Sequence, residues 1–219
     1  EPDRLGKTIL ELHDVAKAFE PTRPLIGNIS MHLKRGARIG VLGPNGTGKS
    51  TLLKLITGEL EPDSGFIIRG KNSRIAMLDQ HRTVLDPSVR VRDIVSPDGR
   101  DIVFIGGKEK IHVASYLSRF NFPTETHRVP VSRLSGGERN RLALARFLLE
   151  DANIILMDEP TNDLDLTTIH ILEQALLSFP GCVITVSHDR YFLDRVATTI
   201  VAFEADVQSQ GTVTVMEGD

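Results

Sequence analysis

With 219 residues, 40% of them hydrophobic and 25% charged, the chain has the make-up of a soluble globular α/β domain, alone or with a small insert. No apolar run approaches the ~18 residues that cross a membrane, no signal peptide is visible at the start, and the single cysteine, Cys182, excludes a disulfide framework and a cysteine-rich zinc site. The net charge of −3 leaves no overall basic footprint for nucleic acid.

The chain opens on Glu1 and a polar stretch, and reads as a processed chain or a piece cut from a longer one. Residues 8–13 alternate like a strand, and 15–19 follow it into a turn with Pro21 and Pro24. A second strand is expected over 25–33, with Ile29, Met31 and Leu33 on one face. The apolar run 37–42 leads into Gly43, Pro44, Asn45, Gly46, Thr47, Gly48, Lys49, Ser50 and Thr51. The helix after them is expected to stop at Gly58 with a left-handed cap. Short strands follow over 66–69 and 74–78, the second ending at Asp79 and Gln80. From 81 to 133 the pattern weakens: a helix or short strand at 91–95, a hairpin through 101–112 turning at Gly106 and Gly107, and a helix over 113–120 halted before Pro123.

Ser135 then opens a helix, with Glu138 three residues on as in a capping box. Leu142, Ala145, Leu148 and Leu149 form its apolar stripe. The continuous apolar run 153–157 reads as a buried parallel strand ending in Asp158 and Glu159. An amphipathic helix over 168–179 leads to a second buried strand, 182–186, which holds Cys182 as an apolar thiol and ends before His188. A short helix at 191–196 and strands at 198–203 and 212–216 complete the chain.

Strand, glycine-rich turn and helix around 43–51 fit G-x-x-x-x-G-K-[ST], the phosphate-binding loop, against the plainer reading of a turn with a chance lysine. Glycines let successive N–H groups point at a polyphosphate, and the helix start adds its positive dipole end. Lys49 would reach the β- and γ-phosphates, and Ser50 would ligate Mg²⁺. Hydrolysis needs further parts. Asp158, at the carboxyl end of a buried strand, is placed to serve Mg²⁺, and Glu159 to act as general base for water. His188 follows another strand and is suited to donate to the γ-phosphate; Gln80 follows a third and could touch Mg²⁺ or the attacking water. Taken singly, the acids could merely cap the next segment, His188 be a loop histidine and Gln80 a surface amide.

Taken together, 43–51 (Walker A), Gln80 (Q-loop), Leu134 to Glu138 (signature), 154–159 (Walker B), Asn162 to Asp165 (D-loop) and His188 (H-switch) resemble the ATP-binding cassette ATPases, in the family's order and across essentially the whole chain. The resemblance implies an α/β P-loop NTPase core with a mainly parallel sheet, an N-terminal antiparallel β subdomain and a small inserted helical lobe. It implies one domain over 1–219, with the core in 1–80 and 153–219 and the lobe at about 81–152. It implies Phe19 as the ring stacking on adenine and Ser135, Gly136, Gly137 and Asp165 as nucleotide-binding residues, with Ser135 and Gly137 completing the site of a facing cassette. The cofactors implied are ATP and Mg²⁺.

Arg139, Asn140 and Arg141 after the signature, Asn162 and Asp163 after Walker B, and Asp189 to Asp194 after His188 look like the ABC-F branch, and the chain looks like the second cassette of a Uup-type member. That implies a cytoplasmic ATPase with no membrane domain, a first cassette of the parent chain as head-to-tail partner, the ribosome as target, and slow hydrolysis by this domain alone. The energy subunit of a membrane transporter and a DNA-transaction ATPase are the rival readings. Two basic clusters, Arg69, Lys71 and Arg74, and Arg133, Arg139, Arg141 and Arg146, read as solvated faces or as contacts for RNA phosphates.

Overall fold

The structure, a computed structural model, describes residues 9–20, 23–78, 85–203 and 213–217. In chain order its elements are β1 (Leu10–Glu20), β2 (Arg23–Leu33), β3 (Arg38–Leu42), α1 (Lys49–Thr57), β4 (Ser64–Arg69), β5 (Ile75–Leu78), α2 (Val91–Val95), β6 (Ile102–Ile105), β7 (Glu109–His112) and α3 (Val113–Arg119). After two short 3₁₀ turns come α4 (Gly136–Phe147), β8 (Ile154–Asp158), α5 (Leu166–Ser178), β9 (Cys182–Val186), α6 (Arg190–Val196), β10 (Thr199–Phe203) and β11 (Val213–Glu217).

The larger sheet runs β11–β10–β3–β9–β8–β5, parallel throughout except that β11 closes one edge antiparallel to β10. A second, antiparallel sheet has the order β2–β1–β4, and β6 and β7 form a separate hairpin. Apolar side chains on both faces explain why β8 and β9 read as unbroken apolar runs. Ile154 and Leu156 of β8 and Ile184 of β9 pack on the side of α1, β1 and β2. Ile155, Met157 and Val183, their alternates, pack on the side of α2 to α6. The sheet is thus the partition between two apolar cores.

Local signals account for most boundaries. Gly58 ends α1 in the left-handed region (φ 88°), its N–H returning to Lys54 O at 3.1 Å. Gly106 and Gly107 turn the β6–β7 hairpin with φ of 55° and 69°. Two details differ from the sequence expectation. The strand and the segment expected to follow it form one strand, β1, over Leu10–Glu20, with a register on β2 that is irregular from Leu12 to Glu20. The stripe expected on α4 is too narrow: Ala143, Leu144 and Phe147 are buried as well as Leu142, Ala145 and Leu148, while Leu149 lies beyond the helix and is half-buried. The helix is held between α2 and α5, so it buries more than one face.

Arg38 joins the two ends of this packing. Its buried guanidinium donates to Leu176 O (2.9 Å), Phe179 O (2.5 Å), Gly181 O (2.6 Å) and Gly36 O (3.0 Å). It thereby gives donors to the carbonyls that follow α5, which no later turn of helix can reach, and adds a second donor to Leu176 O beside the Phe179 N–H. Burial lowers its pKa from the ordinary value, and the cation persists because of these acceptors. Arg38→Ala is expected to cost about 3 kcal/mol by leaving buried carbonyls without donors. Arg100→Ala, at an exposed ion pair with Asp98, should stay within about 0.5 kcal/mol. Urea midpoints of the two variants check the contrast.

Candidate functional site

β3 delivers the chain to the glycine-rich loop between it and α1. Gly43 takes φ 156°, and a Cβ there would lie 2.7 Å from Phe203 Cβ and 2.8 Å from its carbonyl oxygen. At Gly48, with φ 106°, a Cβ would press on Leu25 and Ile26 at 3.1 Å. Only glycine lets the backbone turn this close to its neighbours. Thr47 Oγ1 donates to Pro44 O at 2.9 Å and braces the turn. Gly48 is the N-cap of α1 and brings no side chain to the first helical N–H groups, which face the loop.

Around that loop the larger sheet gathers five side chains, Lys49 and Ser50 from the start of α1 and Asp158, Glu159 and His188 from the ends of β8 and β9. Lys49, almost fully buried, donates through Nζ to Gly43 O (2.8 Å) and Pro44 O (2.9 Å) and lies 3.4 Å from His188 Nε2. Burial lowers the pKa of its ammonium, and the nearby charges of Glu159 and Asp158 pull in the opposite sense. Ser50 Oγ donates to Asp158 Oδ2 at 2.7 Å. His188 Nε2 is 2.8 Å from Asn45 Oδ1 and 3.2 Å from Glu159 Oε1. His188 N donates to Glu159 Oε2 at 3.2 Å.

The two adjacent acids are aimed apart by the backbone. Glu159 takes φ 48°, a left-handed conformation that costs a non-glycine residue on the order of 1–3 kcal/mol. Its N–H is held by Val186 O at 2.9 Å, at the end of the neighbouring strand. Asp158 therefore faces Ser50 while Glu159 faces His188. Glu159 Oε1 is buried and has no hydrogen-bond partner among the described residues, since His188 Nε2 meets it without hydrogen-bond geometry. A buried carboxylate oxygen without a donor is costly, and is satisfied once a water or ligand hydroxyl donates to it.

These groups line an open cleft of about 420 Å³, walled by Leu25, Lys54 and Met77 and floored by the loop, Asp158 and Glu159. The cradle and its buried ammonium suit a polyphosphate, and the hard oxygens of Ser50 and Asp158 suit a hard divalent cation. Leu25 and Met77 escape sequence reading, because neither belongs to a spaced pattern; the fold alone carries them to the wall. A second cleft of about 380 Å³, between α3 and α5, is walled mainly by apolar side chains. Its charged groups, Glu109 and Arg119, bond to each other at 3.3 Å.

The remaining residues singled out by sequence fall elsewhere. Ser135, Gly136, Gly137 and Asp165 do not line this cleft but sit together where α4 meets α5. Ser135 caps α4, accepting from Glu138 N at 3.2 Å while its own N–H donates to Glu138 Oε2 at 2.7 Å. That backbone donor, first among the causes, lowers the pKa of Glu138. Asp165 caps α5 by accepting from Thr168 N at 2.8 Å, and its Oδ2 lies 3.8 Å from Arg141 Nη1. A Cβ on Gly137 would come within 2.8 Å of Asp165 Oδ2, so a glycine there permits the contact. Phe19 is 64% exposed near the end of the β1–β2 hairpin, whose second strand supplies Leu25 to the cleft. Gln80 lies outside the described residues. Of the basic clusters, Arg69 bonds to Leu55 O and Ile56 O, Arg74 to Asp151 and Arg141 to Asp165; Arg133, Arg139 and Arg146 are exposed.

Comparison with known proteins agrees with this geometry. The family model described as ABC transporter matches residues 26–162. The energy-dependent translational throttle protein EttA of Escherichia coli strain K12 is 46% identical over 99% of this chain, and that of Mycobacterium tuberculosis strain H37Rv is 44% identical over the same share. The ATP-binding protein Uup of Caulobacter vibrioides is 45% identical over 91% of it. The chain spans 38% of the length of the EttA relatives and 32% of the Uup relative. Among solved structures, a metal-chelate type ABC transporter in an inward-facing conformation superposes with a TM-score of 0.69 at 25% identity, covering 96% of this chain and 83% of that one. No described helix is long and apolar enough to cross a membrane. The chain belongs to the ABC transporter family, as an ATP-binding cassette ATPase domain.

Proposed function

We propose that the chain binds Mg-ATP on the 43–51 loop, hydrolyses it, and closes on a second cassette of a longer parent protein that acts on the ribosome. The convergence of Lys49, Ser50, Asp158, Glu159 and His188 on one cleft carries this reading. In it, the loop and Lys49 hold the phosphates, Phe19 faces the base, and Ser50 and Asp158, with Gln80, hold Mg²⁺. When bound, the ion supplies charge neutralisation at the phosphate oxygens. Glu159 accepts a proton from water through its unpartnered Oε1, and His188 is steered toward the phosphate by Asn45 and Glu159. The same reading divides the chain into an α/β core, 1–80 and 153–219, and an inserted lobe at about 81–152.

The partner is inferred from chemistry that the chain's own cleft does not use. Ser135 Oγ accepts from its helix, which leaves its proton free to donate outward, at a helix start that favours anions. Leu166 and Tyr191, 76% and 84% exposed, open α5 and α6 just beyond the D-loop and His188, and give this edge the apolar surface a facing cassette would cover. The chain alone should therefore bind Mg-ATP but hydrolyse it slowly, with a per-chain rate that rises with protein concentration. Ser135→Ala should remove that rise, at a folding cost of about 1 kcal/mol for the lost cap. A per-chain rate equal to the intact parent's at high dilution would sink the shared site.

The words "translational throttle" in the relatives' names support a role in translation, and the 46% identity to EttA outweighs the 25% to the solved transporter. Exposed Arg133, Arg139 and Arg146 offer contacts for RNA phosphates. The decisive experiment is co-sedimentation of the full-length parent carrying Glu159→Gln with ribosomes, with and without ATP. ATP-dependent sedimentation is expected, and none in either condition would overturn the ribosomal role.

A further inference from the structure

We propose that Glu11, His13 and His32 form a binding site for a zinc-class divalent cation on the outer face of the β2–β1–β4 sheet, apart from the nucleotide cleft. The strand period puts them there. Leu10 and Leu12 of β1 and Met31 and Leu33 of β2 are buried in the core, so the alternate positions, Glu11, His13 and His32, turn outward. The register pairs Glu11 directly with His32, and His13 is two residues along the same face.

The donor atoms already converge. Glu11 Oε2 is 2.9 Å from His13 Nε2, Glu11 Oε1 is 3.6 Å from His32 Nδ1, and the three ligand atoms all lie within 4.8 Å of one another. Zinc–nitrogen and zinc–oxygen bonds of about 2.0–2.2 Å close such a triangle after small side-chain rotations. The neighbourhood also holds the rings in place. His13 stacks on Phe66 of β4 with centroids 4.7 Å apart, and meets the His32 ring edge-on at 5.3 Å. Just after His13, Asp14 takes φ 47°; its N–H donates to Ser30 Oγ at 2.8 Å, and that hydroxyl donates back to Asp14 Oδ1 at 2.9 Å. An irregularity of this kind re-aims the side chains beside it and pins the register between β1 and β2.

Two neutral imidazoles and one carboxylate form a borderline set that suits Zn²⁺ and does not suit Mg²⁺ or Ca²⁺, which take oxygen ligands. His32 is 58% exposed at its side chain and His13 33%, so the fourth position opens to water. A bound ion would bridge β1 and β2, the strand pair that carries Leu25 to the nucleotide cleft.

Calorimetric titration of Zn²⁺ into the 219-residue chain, with Mg²⁺ present in excess, tests the site. One zinc equivalent is expected, weakened at least about tenfold in His13→Gln, His32→Gln and Glu11→Gln and unchanged in His170→Gln. Side-chain ¹⁵N spectra should show Zn²⁺ shifting the ring signals of His13 and His32. Because the substituted side chains lie on the sheet surface, equal melting temperatures without metal separate loss of ligands from loss of fold. Zinc binding that survives the His13→Gln/His32→Gln double variant, binding that follows His188→Gln instead, or the absence of any zinc equivalent overturns the proposal.

Discussion

Replacing Glu159 by Gln is expected to lower ATP hydrolysis by about 10²–10⁴-fold while nucleotide binding persists. The reason is geometric. Glu159 is half-buried, held at φ 48° by a backbone bond to the end of β9, and its buried Oε1 lacks a hydrogen-bond partner among the described residues. Gln keeps the shape and the bond from His188 N to the side-chain oxygen, but cannot take a proton from water. Affinity should be held because, in the function proposed above, phosphate and metal contacts come from Lys49, Ser50, Asp158 and the loop. Single-turnover hydrolysis with the partner cassette present, alongside equilibrium nucleotide binding, measures the two effects separately. Unchanged turnover would remove Glu159 from the role of base. Asp158→Asn should behave differently, weakening binding mainly in the presence of Mg²⁺, because Asp158 is the carboxylate bonded to Ser50.

Lys49→Met is the second large effect: nucleotide affinity should fall about 100-fold, the equivalent of roughly 3 kcal/mol for charge-assisted hydrogen bonds to phosphate. The folding stability should change far less, since Met fills the same buried slot and removes a desolvated charge, offsetting the lost bonds to Gly43 O and Pro44 O. The pH dependence gives an independent check. Burial holds the Lys49 ammonium below its ordinary value of 10.5 in the folded chain, partly countered by Glu159 and Asp158. The unfolded chain therefore binds that proton more tightly, so Lys49 costs stability at low pH, and the cost is relieved as pH rises through the lowered folded value. In the function proposed above, nucleotide affinity needs the cation, so it runs the other way and should decline with rising pH before 10.5 is reached. In Lys49→Met that alkaline decline should be absent. Titrating nucleotide binding in both proteins between neutral and alkaline pH decides it.

What could be read from the chain was whatever a few neighbouring residues decide. The capping box of Ser135 and Glu138, the left-handed stop at Gly58, the Gly106–Gly107 hairpin and the loop ahead of Lys49 each place their donors, acceptors and φ requirements within several positions of one another. The unbroken apolar runs of β8 and β9 were legible as burial but not as direction: only the sheet shows that Ile154 and Ile155 enter opposite cores. Gln80 lies outside the described residues, and the facing surface proposed for Ser135 belongs to another cassette.

Motif spacing thus pointed by itself to a glycine-rich loop ahead of a helix, two strand-end carboxyl groups and a strand-end histidine, because each is a local pattern with a local physical need. The tertiary structure decided which of them meet. His188 reaches Asn45 and Lys49 across more than a hundred residues because β3 and β9 are parallel neighbours, so both strands end at the same edge of the sheet. Arg38 finds the carbonyls of α5 for the same reason. Glu11, His13 and His32 form a cluster only through the register of β1 on β2. Strand order and register are set by burying both faces of a sheet at once, a global condition that no short window of sequence contains.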